Sequence, residues 1–191
     1  MASGACVKGT IFQNVVNEIN GYLGDGRISR ADLERACKPD DLEFLDQDIG
    51  IASWYPADTY GRLLRVVCDR VGGGRREFLI ESGRASARRV IEMGVYSQLS
   101  ERTERWEVRV GRILVTLAGS FYNFGDWQWI SGGDDGFRIE VRDCAALPEE
   151  AALRAQGFVE LLTCRSAGRP IRVDYERPRP SLIIFSADAS R

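Results

Sequence analysis

The spacing of the apolar residues changes about two thirds of the way along the chain, and this change limits the possible folds more than any other feature. Before it, apolar side chains recur every three or four residues, which is typical of helices packed on one face. After it, Phe137, Ile139 and Val141 alternate with charged residues, which is typical of a strand with one buried face. The order predicts an α+β fold, with helices over about 1–120 and a β-α-β portion over about 125–188.

About five helices are predicted before the change of spacing. The first covers Ile11–Leu23, and a short second helix begins at a capping box made by Ser29 and Asp32. We expect the first fifty residues to be helical. Pro56 is placed for the first turn of a further helix. The remaining predicted helices cover about 76–93 and 96–118.

The second portion predicts an antiparallel sheet of about four strands with one inserted helix. Trp127 and Trp129 lie on one face of a hairpin whose turn falls in Ser131–Gly136, where glycines and aspartates favour tight turns. Pro148 opens the inserted helix. The last strand, Ser181–Ala187, is apolar on both faces, so we expect it at the centre of the sheet.

Length and composition predict one domain spanning residues 1–191, with a core of its own. The net charge of −2 and the pI of about 5.4 provide no field that would attract nucleic acid. Only Lys8 and Lys38 are lysines among 26 basic residues, a bias that we attribute to a GC-rich bacterial genome. No signal segment or membrane-spanning stretch is evident, so the expected location is the cytoplasm.

The chain contains no histidine, which argues against most catalysis. Histidine is the usual general base near neutral pH and the commonest metal ligand. The paired carboxylates Asp40–Asp41 and Asp134–Asp135 fall in predicted loops, where turn capping accounts for them. Five scattered cysteines form no C-x-x-C pair and are interpreted as reduced thiols. We therefore expect a protein that is not an enzyme.

Aromatic residues supply the candidate walls of a ligand pocket, together with a few polar groups that could hydrogen-bond a ligand. At helical or strand spacing such residues also fill cores, and that alternative stays open. The candidates are Trp54, Tyr55, Tyr60, Trp106, Tyr122, Phe124, Trp127 and Trp129.

Three short segments and the terminal β-α-β-β order carry a resemblance to a known group. The segments are Val7–Phe12, Ser53–Pro56 and Arg88–Ile91. With these, the chain resembles an uncharacterised paralogous family of myxobacterial proteins, which is distantly similar to haem-NO-binding and vinyl-reductase-type small-molecule-binding domains. The resemblance covers most of the chain. It implies a sensory fold that often dimerises, with a ligand chamber between the helices and the sheet.

The same resemblance sets the expectations about cofactors. Haem-binding relatives use a proximal histidine, so its absence predicts no haem. Vinyl-reductase-type sensors carry a zinc site near the C-terminus, for which Cys144 and Cys164 are weak candidates, but two thiolates do not complete a tetrahedral site. We expect no cofactor.

Two functions remain open at this stage. The first is a non-catalytic sensing or regulatory domain that binds an apolar or aromatic ligand. The alternative is a ligand-free dimerisation module on a degenerate sensory fold, paired with itself or with a regulatory protein.

Overall fold

The computed structural model describes residues 4–92, 106–131 and 136–188, and shows an α+β fold. Seven helices and six strands lie in these residues. In chain order they are β1 (Cys6–Lys8), α1 (Gly9–Gly24), α2 (Arg30–Ala36), α3 (Pro39–Glu43), β2 (Trp54–Pro56), α4 (Ala57–Arg70), α5 (Arg76–Glu92), α6 (Trp106–Phe121), β3 (Asp126–Ser131), β4 (Gly136–Arg142), α7 (Glu149–Ala167), β5 (Val173–Arg179) and β6 (Leu182–Asp188).

The helix starts follow the local signals in the sequence. At α2 the predicted capping box forms, because the Ser29 hydroxyl accepts from the Asp32 N–H and the Asp32 carboxylate accepts from the Ser29 N–H. Pro56 is the residue immediately before α4 rather than a member of its first turn. The early part of the helix predicted over about 96–118 and most of the turn predicted in Ser131–Gly136 lie outside the described residues.

The prediction that the first fifty residues are helical is wrong at β1. Residues 6–8 pair antiparallel with β2, with Val7 opposite Tyr55, and Val7 also bridges to Tyr122 after α6. The Cys6 N–H donates to the Asn123 side chain at 2.6 Å, which fixes the N-terminal segment beside the end of α6. A strand of three residues is too short to show an alternating pattern, so only its tertiary pairing reveals it.

The main sheet has the order β3-β4-β6-β5, antiparallel throughout. Trp127 lies opposite Val141 and Trp129 opposite Ile139, as the alternating pattern predicted. β6 lies between β4 and β5, which confirms the central position expected for the strand that is apolar on both faces. α6 packs on β3 and β4, and α7 packs on β5, so these two helices cover the sheet.

Helices α5 and α7 touch along their backbones, and two glycines permit this. A Cβ on Gly83 would lie 1.9 Å from the Arg154 carbonyl oxygen, and a Cβ on Gly157 would lie 1.8 Å from that of Ile80. Each glycine thus admits the backbone of the facing helix. The contact fixes Arg154 on α7 relative to α5. Within the described residues, no helix is both long and apolar enough to cross a membrane.

Candidate functional site

A chamber of about 450 Å³ lies between the helices and the sheet, lined by α1, α4, α5, α6, α7 and the inner face of β3 and β4. Its size falls in the range of small-molecule pockets. Most of its wall is apolar. The apolar lining includes Ile11, Leu114, Leu117, Phe121, Ile139 and Phe158.

Three of the eight aromatic candidates line this chamber. Tyr60 comes from the buried face of α4, Tyr122 follows α6, and Trp127 comes from β3. The Tyr122 ring stacks on Trp127, with centroids 5.5 Å apart and planes 17° from parallel. These residues, distant in sequence, meet because α4, α6 and β3 converge on one space.

The other five candidates lie outside the chamber lining. Tyr55 stacks on Phe12 at 4.6 Å, and its hydroxyl accepts a hydrogen bond from the Gly50 N–H. Trp54 lies on the short strand β2, and the Lys8 ammonium sits over its ring, 4.5 Å from the ring centroid. Both residues pack around the small β1–β2 sheet.

The remaining three pack around α6. Trp106 begins that helix and contacts Phe137 edge to face, while Phe124 makes an edge contact with Tyr122. Trp129 fills the space left by Gly111, where a Cβ would lie 1.7 Å from the indole ring. Their apolar spacing predicts their burial but does not distinguish core from cavity wall.

Arg154 is the most buried of the charged lining residues, and it is absent from the candidates that the sequence provided. It lies on α7, lines the chamber and is only 6% exposed. Its Nη2 donates to the Glu18 carboxylate at 2.6 Å and to the Ser86 hydroxyl at 3.2 Å. In the described part of the chain its Nη1 is buried and has no hydrogen-bond partner. One sequence signal could have found it, because Arg154 stands at helical spacing between Ala151 and Phe158 on an apolar face.

The charge around Arg154 is unbalanced. Glu18 also forms an ion pair with Arg89, whose Nη2 lies 3.6 Å from the carboxylate, so two guanidinium groups share one carboxylate. Arg89 lines the chamber too, but its side chain is 53% exposed. Among the described residues that line the chamber there is no aspartate or glutamate. The chamber therefore has a wall that is mostly apolar, with a net positive charge where Arg154 and Arg89 lie.

The two tyrosines stay protonated in this setting. Burial raises the pKa of Tyr60, and the positive charge of Arg154 opposes that rise only in part. Burial also raises the pKa of Tyr122 well above its usual range. Neutral phenols beside a guanidinium can donate hydrogen bonds to a ligand, but they do not neutralise the charge of Arg154.

The two cysteines considered for zinc engage backbone groups. Cys144 is buried, with its thiol directed to the Val141 carbonyl oxygen at 3.1 Å, and burial raises its pKa. The Cys164 thiol pairs with the backbone of Ile171. Across the described ranges, no group of three or more cysteines, aspartates or glutamates is arranged to hold a metal ion.

No family model and no curated protein matches the sequence. The structure, however, matches solved H-NOX proteins over nearly its whole length. An Fe(II) unliganded mutant H-NOX protein from K. algicida is 9% identical, with a TM-score of 0.66 and 95% of each chain covered. A mutant of T. tengcongensis H-NOX is 14% identical, with a TM-score of 0.62 and coverage of 96% of this chain and 98% of that one. The chain has the H-NOX fold, which confirms the haem-NO-binding side of the resemblance.

This finding corrects the prediction that the protein has no cofactor. A third solved structure, 13% identical with a TM-score of 0.62 over 96% of this chain and 95% of that one, is described as probing haem distortion in the H-NOX family. The fold is therefore one that carries haem, and the prediction is wrong. The prediction rested on the absence of histidine alone, whereas the similarity extends over nearly the whole chain.

The lining of the chamber can be compared with the chemistry of a haem. Its apolar wall fits the faces of a porphyrin, and Arg154 Nη1 fits a carboxylate. The chain has no histidine, and among the described lining residues the groups of a type that ligates haem iron are the phenols of Tyr60 and Tyr122.

Proposed function

We propose that this protein is a non-catalytic small-molecule-sensing domain that binds an apolar or aromatic ligand in the chamber. The chamber itself carries the proposal: its apolar wall is large enough for a small molecule, and Tyr60, Tyr122 and Trp127 meet there. The H-NOX fold supports the same assignment. A porphyrin belongs to this class of ligand, and a bound haem supplies an iron centre for a small gas molecule.

Native mass spectrometry of the purified protein, compared with its denatured mass, tests this proposal. We expect a reproducible excess mass on each folded chain, and an absorption spectrum that shows whether the bound molecule is haem. Absence of excess mass, together with no binding of added haemin or of an uncharged aromatic probe such as pyrenebutanol, would contradict the proposal. A dimer without bound ligand in that case would favour the alternative, a ligand-free dimerisation module.

A variant that fills the chamber locates the binding. Ala155 lines the chamber on α7, and Ala155→Phe places a ring in the space that the ligand would occupy. We expect this variant to keep its fold and to lose most of the binding. Ala31→Phe on the exposed surface of α2 is the matched control and should bind as the original chain does. Equal binding by both variants would place the ligand elsewhere.

A further inference from the structure

We propose that the ligand of this chamber carries a carboxylate, and that Arg154 Nη1 binds it. The inference rests on the proposed function and adds the chemical class of the ligand: an apolar molecule with one acidic group. The observation behind it is a charged donor that is buried at the chamber wall with no hydrogen-bond partner in the described residues.

A guanidinium in this position is costly without an acceptor. Leaving a buried polar group unpaired destabilises a fold, and the cost is larger for a charged group. Nη2 is satisfied by Glu18 and Ser86, so the unmet requirement lies on the other branch of the same side chain. An acceptor supplied by a ligand meets that requirement, and a carboxylate forms the stronger, charge-assisted bond.

The surrounding charges favour an anion over a neutral acceptor. Glu18 is shared by Arg154 and Arg89, which leaves a net positive charge at this end of the chamber. The described lining residues offer no carboxylate that would repel an acid. Arg89, half-exposed at the edge, attracts the same anion more weakly because solvent screens it.

Most of the remaining lining is apolar, and this determines the character of the rest of the ligand. Phe158, Leu117 and Ile139 cannot hydrogen-bond along the body of a ligand, so a small polar anion placed against them would lose its hydration without compensation. An amphiphilic acid matches both ends. Two sources supply this chemistry, a porphyrin with acidic side chains and a free organic acid.

A matched pair of fluorescent probes tests the inference. Pyrenebutyric acid and pyrenebutanol share their aromatic body and differ in charge. We expect the original chain to bind the acid on the order of tenfold or more tightly than the alcohol, because a hydrogen bond to a charged group contributes that much. Arg154→Met should remove this preference and leave the affinity for the alcohol unchanged.

Two further variants distinguish a lost preference for the acid from a loss of the folded structure. Glu18→Gln combined with Arg154→Met removes both members of the ion pair, so no carboxylate is left buried alone, and it should show the same lost preference. Arg30→Met is the control, since Arg30 pairs with the exposed Asp46 away from the chamber lining, and it should keep the preference.

The outcomes separate the two proposals. Equal binding of acid and alcohol by the original chain, or a preference that survives in Arg154→Met, would overturn this inference while the sensing function stands. Binding of neither probe nor haemin would overturn both. The source of the acid is read from the protein as purified: a haem absorption band identifies a porphyrin, and an organic acid in a solvent extract identifies the free molecule.

Discussion

Among single residues, Asp41 shows how a polar group can be held inside the N-terminal helices. It is 2% exposed and accepts two hydrogen bonds from the Arg62 guanidinium, at 2.6 and 2.8 Å, and one from the Thr59 hydroxyl. Burial acts to raise its pKa, but these bonds and one from the Lys38 N–H outweigh it and lower the pKa to about 2. The predicted turn-capping role accounts for only the last of these bonds.

The depressed pKa of Asp41 predicts a pH dependence of stability. The unfolded group titrates near 3.9 and the folded group at about 2, so its contribution is complete above about pH 4 and is lost as the pH falls towards 2. Asp41→Asn should lower the free energy of unfolding at pH 7 by about 2 kcal/mol, and this difference from the original chain should vanish near pH 2. Urea unfolding across this pH range measures it.

The control for this variant is Asp58→Asn. Asp58 also pairs with Arg62, but its side chain is 60% exposed. We expect a loss of less than about 1 kcal/mol. A difference between Asp41→Asn and the original chain that persists unchanged down to pH 2 would contradict the assigned pKa.

Among the elements, the contact of α5 with α7 determines where Arg154 points. Gly83→Ala and Gly157→Ala each insert a methyl group into the backbone of the facing helix, which cannot move aside as a side chain can. We expect each to lower the free energy of unfolding by about 1–3 kcal/mol. Gly83→Ala should also weaken binding of pyrenebutyric acid, because it displaces Arg154.

Gly21→Ala serves as the control for these substitutions. Gly21 lies in α1, and nothing is within 4 Å of a Cβ built on it. Alanine there should stabilise the protein by about 0.5–1 kcal/mol, since it restricts the unfolded chain and favours helix. Thermal unfolding compares all three variants. Equal melting temperatures would show that the two helices separate without cost.

For the molecule as a whole, binding in an interior chamber is linked to folding. A ligand that binds only the folded chain, present at 100 times its Kd, adds about 2.7 kcal/mol of stability. For a chain of this length that corresponds to a rise in Tm of roughly 5–10 °C. We expect pyrenebutyric acid to produce this rise in the original chain and none in Ala155→Phe. A rise in both would indicate binding at the surface.

Most elements and their order follow from the sequence alone. Apolar spacing predicts α1 and the β3–β4 hairpin, the Ser29 and Asp32 pair predicts the start of α2, and the two-sided apolar run predicts the centre of the sheet. These features depend on neighbouring residues or on a regular spacing along the chain, so they can be predicted from the sequence.

The site, in contrast, depends on tertiary packing. Tyr60, Tyr122 and Trp127 share a chamber with Arg154 because α4, α6, α7 and β3 converge, whereas Trp106, with the same kind of aromatic spacing, lies in the core. Spacing along an element reports which face is buried, but whether that face meets another side chain or an empty space depends on the helix and strand packed against it.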